Sequence, residues 1–144
     1  MIRIIAIGRV KDRRLADLMA DYERRLRPLT RLQTVELRDQ TPDREARQIL
    51  DKLGSPGGGE LVVALDERGE ARPSTGVADL LGAHGSIAFV IGGADGLTDE
   101  VRRRADLVLQ LSSLTLTHEW ARALLIEQIY RGLTILRGMP YHRG

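Results

Sequence analysis

The sequence contains no cysteine, which excludes disulfides, thiolate zinc sites and a cysteine nucleophile. Lysine is nearly absent as well: Lys11 and Lys52 are the only two among 22 basic residues, and the rest are arginine. No apolar run approaches the roughly 20 residues a membrane helix needs. The opening stretch MIRIIAIGRVKDRR is apolar too briefly for a signal peptide and lacks a small-residue cleavage site, so it reads as a strand. These absences together point to a cytoplasmic protein with no membrane partner.

Several catalytic signatures are missing too. HEWAR (118–122) begins like a zinc-protease helix but places Arg122 where the second histidine ligand belongs. His84, His118 and His142 are far apart in the chain and have no cysteine partners, so no metal site is expected. GGGELV lacks the Gly-Lys-Ser/Thr of a phosphate-binding loop, and GRVKDRR lacks the glycine fingerprint of a dinucleotide fold. There is no Gly-x-Ser-x-Gly elbow.

What remains is a chain of 144 residues, 42% hydrophobic and 29% charged, a balance that suits one globular domain (1–144) over disorder. The net charge of +2 understates its polarity along the chain. Residues 1–31 carry nine basic side chains against four acidic ones, and no acid follows Glu127 while Arg131, Arg137 and Arg143 do. Arginine suits phosphate recognition through its planar, permanently charged fork. A GC-rich genome enriches arginine equally well, so charge alone does not select a partner.

Apolar runs alternate with helix-period segments. Strands are expected at 2–8, 32–38, 60–66, 86–93 and 106–112. Helices are expected at about 12–27, 41–54, 74–82, 98–105 and 118–136, with Thr41 and Thr117 as N-caps and Gly54 as a stop. Strands apolar on both faces and alternating with helices predict an α/β fold, a mainly parallel sheet of five to six strands covered on both sides. The helix at 118–136 is apolar around more than one stripe, which calls for more than one packing neighbour; a second subunit is the expected one.

Three stretches sit where strands give way to turns. FVIGGADGL (89–97) brings consecutive glycines to a strand's C-terminal end, where backbone can approach a ligand closely. LSSLTLTHEW (111–120) offers Ser112, Ser113 and Thr115 beside the capping Thr117. LDERGE (65–70) ends the third strand, with a turn expected at Gly69. Open α/β sheets bind ligands at this edge, so three such ends define a candidate pocket.

In this order, LDERGE, FVIGGADGL and LSSLTLTHEWARALLIEQIYRGLTILRGMPYHRG resemble the small bacterial methyltransferases of the SPOUT superfamily that modify N3 of a pseudouridine in 23S rRNA. The resemblance spans the chain and is most specific over 89–143. The chain departs from it in the Thr117-His118 pair, where many relatives have Pro before the His, and in the extra Gly144. The resemblance implies a C-terminal trefoil knot, an exception to the usual avoidance of knots. It also implies S-adenosyl-L-methionine as methyl donor without metal, held by Leu65, Gly92 and the loop Leu111, Ser112, Ser113, Leu114, Thr115 and Leu116. A homodimer acting on 23S rRNA in the assembled ribosome, and not on DNA, is implied as well.

On chemical grounds His142 is the candidate general base, or else a hydrogen-bonding group that orients the substrate. Arg143 and Arg131, with Arg137 in the same basic tail, are candidates for phosphate or imide contact. Tyr141 is a candidate for stacking on an unpaired base. The tail is expected to be mobile without RNA. Two alternatives stand beside this reading: another knotted RNA methyltransferase acting on tRNA or a different rRNA position, and a non-catalytic nucleotide- or RNA-binding α/β module.

Overall fold

The computed structural model describes all 144 residues. Five strands, β1 (Ile2–Ile7), β2 (Leu32–Leu37), β3 (Leu61–Ala71), β4 (Ile87–Ile91) and β5 (Leu107–Gln110), form one sheet in the order β2-β1-β4-β3-β5. Every neighbouring pair is parallel. The helices are α1 (Arg13–Leu26), α2 (Pro42–Leu53), α3 (Ser74–Ala83), α4 (Asp99–Arg104) and α5 (His118–Leu136). All ten elements lie where the sequence places them, and the sheet has five strands.

The period-2 alternation of the strands sorts the core into two halves. Ile2, Ile4 and Ala6 of β1, with Phe89 and Ile91 of β4, face a layer built from α1, α3 and α5. Ile5 and Ile7, with Val62, Ala64, Ala88 and Val90, face α2 and α4. A strand buried on both faces is apolar throughout, as IAFVI is; in IRIIAI the one charged residue, Arg3, is only partly buried and pairs with Glu60 at 2.7 Å.

Helix ends follow their capping chemistry. Asp12, Thr41, Thr98 and Thr117 each accept a backbone N–H from the first turn of α1, α2, α4 and α5. Within α1, Leu15, Met19 and Leu26 are buried, whereas Leu18 is exposed. In the C-terminal third of α5, Gly132 lets α3 approach: a Cβ there would lie 2.7 Å from Leu81 Cδ1. That closeness outweighs the roughly 1 kcal/mol that glycine costs within a helix.

One expectation is corrected here. The chain does not turn away at Gly69. Residues 66–69 bulge out between Leu65 and Glu70, both of which pair with Leu109, and β3 then continues to Ala71. Within the chain, α5 packs against α1 on one side, α3 on the other and the sheet beneath. Trp120 and Leu136, near its two ends, stay exposed.

Candidate functional site

Parallel strands present all their C-terminal ends on one edge. At the adjacent ends of β4, β3 and β5 the edge opens into a cavity of about 750 Å³, within the range of small-molecule sites. Its walls come from 65–68 after the first half of β3, 91–97 after β4, and 111–121 running into α5, with Asp12 and Leu15 closing one side.

Backbone forms much of this surface. A Cβ on Gly92 would lie 2.7 Å from the Gly96 carbonyl carbon and 3.0 Å from Leu97 N, because the loop folds back over that position. Gly93 and Gly96 pair across this tight loop. Arg102 ties two walls together, donating to Asp66 at 3.1 Å and to the Leu97 carbonyl. Glu119, in the first turn of α5, accepts from Lys11 N at 2.9 Å and Asp12 N at 3.0 Å, fixing the turn after β1 against the rim. Below the rim, buried Arg122 pairs with Glu36 at 2.7 Å. The third wall is polar and open: Ser112 Oγ accepts from Leu114 N, and Leu114 itself is 73% exposed.

Of the residues expected around a cofactor, Leu65, Gly92, Leu111, Ser112, Leu114, Thr115 and Leu116 line this cavity. Ser113 does not; it is exposed beside it. Trp120, Glu119 and the Asp66–Arg102 pair belong to the cavity lining as well. Trp120, in the first turn of the apolar α5, is 56% exposed at the cavity wall.

A second cluster lies further along the same two helices, which run side by side in one direction. Tyr141 Oη lies 2.6 Å from Glu127 Oε2, to which it donates, and 2.8 Å from Tyr22 Oη. The Tyr141 ring meets Tyr130 edge-on at 4.8 Å, and Tyr130 meets Tyr22 edge-on at 5.6 Å. Arg131 donates to Glu127 Oε2 at 2.8 Å, lies over the Tyr141 ring, and reaches His142 Nδ1 at 3.0 Å. Burial pushes the Tyr141 phenol up, and its hydrogen bonds with Glu127 and Tyr22 push it further, so it stays a donor. Burial also favours the neutral form of Glu127. The hydrogen bonds from Arg131 and Tyr141, with the charge of Arg131, outweigh burial and hold that carboxyl below its ordinary range.

Tyr141 thus packs against the core through its ring. Arg143 is exposed beyond it, and Arg137 donates to the Leu29 carbonyl at 2.7 Å. None of Arg131, Arg137, Tyr141, His142 or Arg143 lines the cavity of its own chain. At 1.5 Å per residue, Arg131 sits about 16 Å along α5 from Trp120.

A parallel α/β sheet with a cavity floored by backbone at three strand ends is a frame for binding a small ligand. The chain belongs to the SPOUT methyltransferase family, whose model, described as "Predicted SPOUT methyltransferase", matches residues 1–142. Membership implies the trefoil knot expected for the C-terminal half. A relative from Prochlorococcus marinus (strain MIT 9303), named ribosomal RNA large subunit methyltransferase H, is 47% identical over 144 residues, covering 99% of this chain and 92% of that protein. Among solved structures, a probable methylase family protein from Haemophilus influenzae Rd KW20 matches with a TM-score of 0.61 at 15% identity, over 99% of this chain and 70% of that one. The SpoU methyltransferase AviRb from Streptomyces viridochromogenes, solved in complex with AdoMet, matches with a TM-score of 0.50 at 13% identity, over 90% of this chain and 56% of that one.

Proposed function

We propose that this chain transfers a methyl group from S-adenosyl-L-methionine to N3 of a pseudouridine in 23S rRNA of the assembled ribosome, as a homodimer in the cytoplasm. The observation that carries the reading is the backbone-floored cavity at the ends of β4, β3 and β5 in a chain of this family. The large-subunit rRNA methyltransferase name of its 47%-identical relative supports the substrate.

The cavity fits the donor by size and chemistry. The close backbone at Gly92, the apolar Leu65, Ile91, Leu111 and Leu116, and the acidic Glu67 and Asp95 suit a flat purine carried with a cationic sulfonium. When bound, the donor supplies a methyl group activated by positive sulfur. The residues named above would hold it through loop backbone, and Arg102 and Glu119 keep those loops in place. Alignment of donor and acceptor is the main contribution asked of the protein, worth about 7–11 kcal/mol in the best intramolecular cases.

Catalysis also needs groups at the accepting base, and the tail cluster lies about 16 Å along α5 from the cavity wall. A two-fold partner that brings its tail to this cavity resolves the separation. Exposed Trp120 and Leu136 at the two ends of α5 leave apolar surface for that contact.

Methyl incorporation into ribosomes compared with naked rRNA tests the substrate. Nucleoside mass spectrometry of a deletion strain tests the position, and N3-methylpseudouridine persisting there would falsify it. Mixing a Gly92→Trp protomer with an Arg143→Ala protomer tests the shared site. Random exchange makes half the dimers mixed, with one intact site in each, so activity recovers to about a quarter of wild type. No recovery would assign each site to a single chain.

A further inference from the structure

The contact between Arg131 and His142 decides whether His142 is able to act as a general base. Arg131 Nη1 and His142 Nδ1 are 3.0 Å apart. A guanidinium carries five N–H donors, no acceptor, and does not lose its proton in proteins. The hydrogen bond therefore requires a lone pair on Nδ1. A neutral imidazole with its lone pair on Nδ1 carries its proton on Nε2. A protonated imidazole would set two donors and two positive charges against each other.

Arg131 is not free to turn away from this contact. Its Nη2 and Nε atoms fork onto Glu127 at 2.8 and 3.4 Å, and its plane covers the Tyr141 ring at 4.8 Å. Glu127 is held in turn by Tyr141 Oη at 2.6 Å and Gln128 Nε2 at 2.8 Å. Gln128 accepts from Ser74 Oγ at 2.6 Å, anchoring the chain of contacts on α3. His142 Nε2 makes no hydrogen bond within the chain, so its proton is available to a ligand.

We propose that Arg131 is a tautomer-fixing residue: it holds His142 as the neutral Nε2–H form, so that His142 meets the methyl acceptor as a hydrogen-bond donor and not as its base. The donor role rests on the rRNA reading above; the tautomer does not. His142 Nε2–H donates to a carbonyl oxygen flanking N3, where negative charge gathers as the N3 proton leaves to water. The N3 lone pair then forms the bond to the methyl carbon while the carbon–sulfur bond breaks and sulfur keeps that electron pair. His142 begins and ends neutral.

Long-range proton–nitrogen NMR of the full chain labelled at histidine reads the tautomer directly, with His142 identified by its loss in His142→Gln. A pure Nε2–H pattern is expected, giving way in Arg131→Met to the tautomer mixture of a solvent-exposed histidine. An Nδ1–H pattern in the wild type, or a pattern unchanged by Arg131→Met, overturns the lock. The role is read from turnover on ribosomes at saturating donor, with melting temperatures confirming that each variant folds. Glutamine carries an amide N–H near the Nε2 position but takes up no proton at neutral pH. His142→Gln is expected to lose about tenfold, as for one weakened hydrogen bond to developing charge. His142→Ala is expected to lose about a hundredfold or more. Equal loss in both overturns the donor role. A wild type inactive on ribosomes and on rRNA overturns the rRNA reading and the donor role with it, while the spectrum still decides the tautomer.

Discussion

The cavity and the tail cluster occupy two stations on the same pair of parallel helices, α1 and α5, and are made from different materials. The cavity station, from Asp12 and Leu15 to the first turn of α5, is floored by strand ends and loop backbone. The tail station, from Tyr22 to Glu127, Arg131, Tyr141 and His142, is almost entirely side chain, and it gathers all three tyrosines of the sequence. Backbone recognition asks for room, whereas side-chain recognition asks for particular atoms. Added atoms should therefore damage the first station, and removed atoms the second.

The largest expected effect is at Gly92. Gly92→Ala places a carbon 2.7 Å from Gly96 backbone, which the loop cannot yield without opening. Affinity for S-adenosyl-L-methionine should fall on the order of 100-fold, about 2.7 kcal/mol, as for overpacking of a filled site. Unchanged affinity by calorimetry would move the cofactor elsewhere. The mirror experiment removes one oxygen from the tail. Tyr141→Phe loses the hydroxyl shared by Glu127 and Tyr22 and should cost about 1.5 kcal/mol in denaturant unfolding, with donor affinity within about twofold of wild type. A tenfold loss of donor affinity would show that the stations are coupled.

Glu127→Gln sharpens the comparison through pH. The folded carboxyl titrates below its ordinary value of 4.5, so its stabilisation is complete above that pH and fades as acid carries it through its folded pKa. Wild type should exceed the variant in stability at pH 7, and the gap should close below about pH 4.5. A gap constant from pH 7 to pH 3 would mean that the charge on Glu127 contributes nothing. The smallest effect is on the cavity side. Thr117→Ala removes the cap of α5 and should cost about 1 kcal/mol in unfolding while leaving the cavity's room intact.

The elements were legible in the sequence because each depends on local pattern: IAFVI is apolar on both faces, and Thr117 stands before a helical run. The three strand ends of the cavity were legible too, since a parallel sheet puts every C-terminal end on one edge. The continuation of β3 beyond Gly69 was not, because it depends on β5 accepting a bulge, which is a property of the pair. The docking of Tyr141 against Tyr22 was hidden for a similar reason. These residues are 119 positions apart, and Tyr22 falls on the apolar stripe of α1 like any core residue. Glu119 belonged to a failed metal motif; its bonds to Lys11 and Asp12 follow only from laying α5 beside α1.

The strand order β2-β1-β4-β3-β5 also governs how the chain acquires its structure over time. Ile2 pairs with Ile87, and the buried face of α1 is closed by Ile126, Ile129 and Tyr130. Contacts so distant along the chain must overcome loop-closure entropy before they stabilise anything, and such topologies fold slowly. During synthesis the apolar face of α1 must therefore wait uncovered until the chain has been made through α5. A nascent chain arrested before Ile126 should stay open to protease and chaperone alike, and α5 settling between α1 and α3 should be the slow phase of refolding.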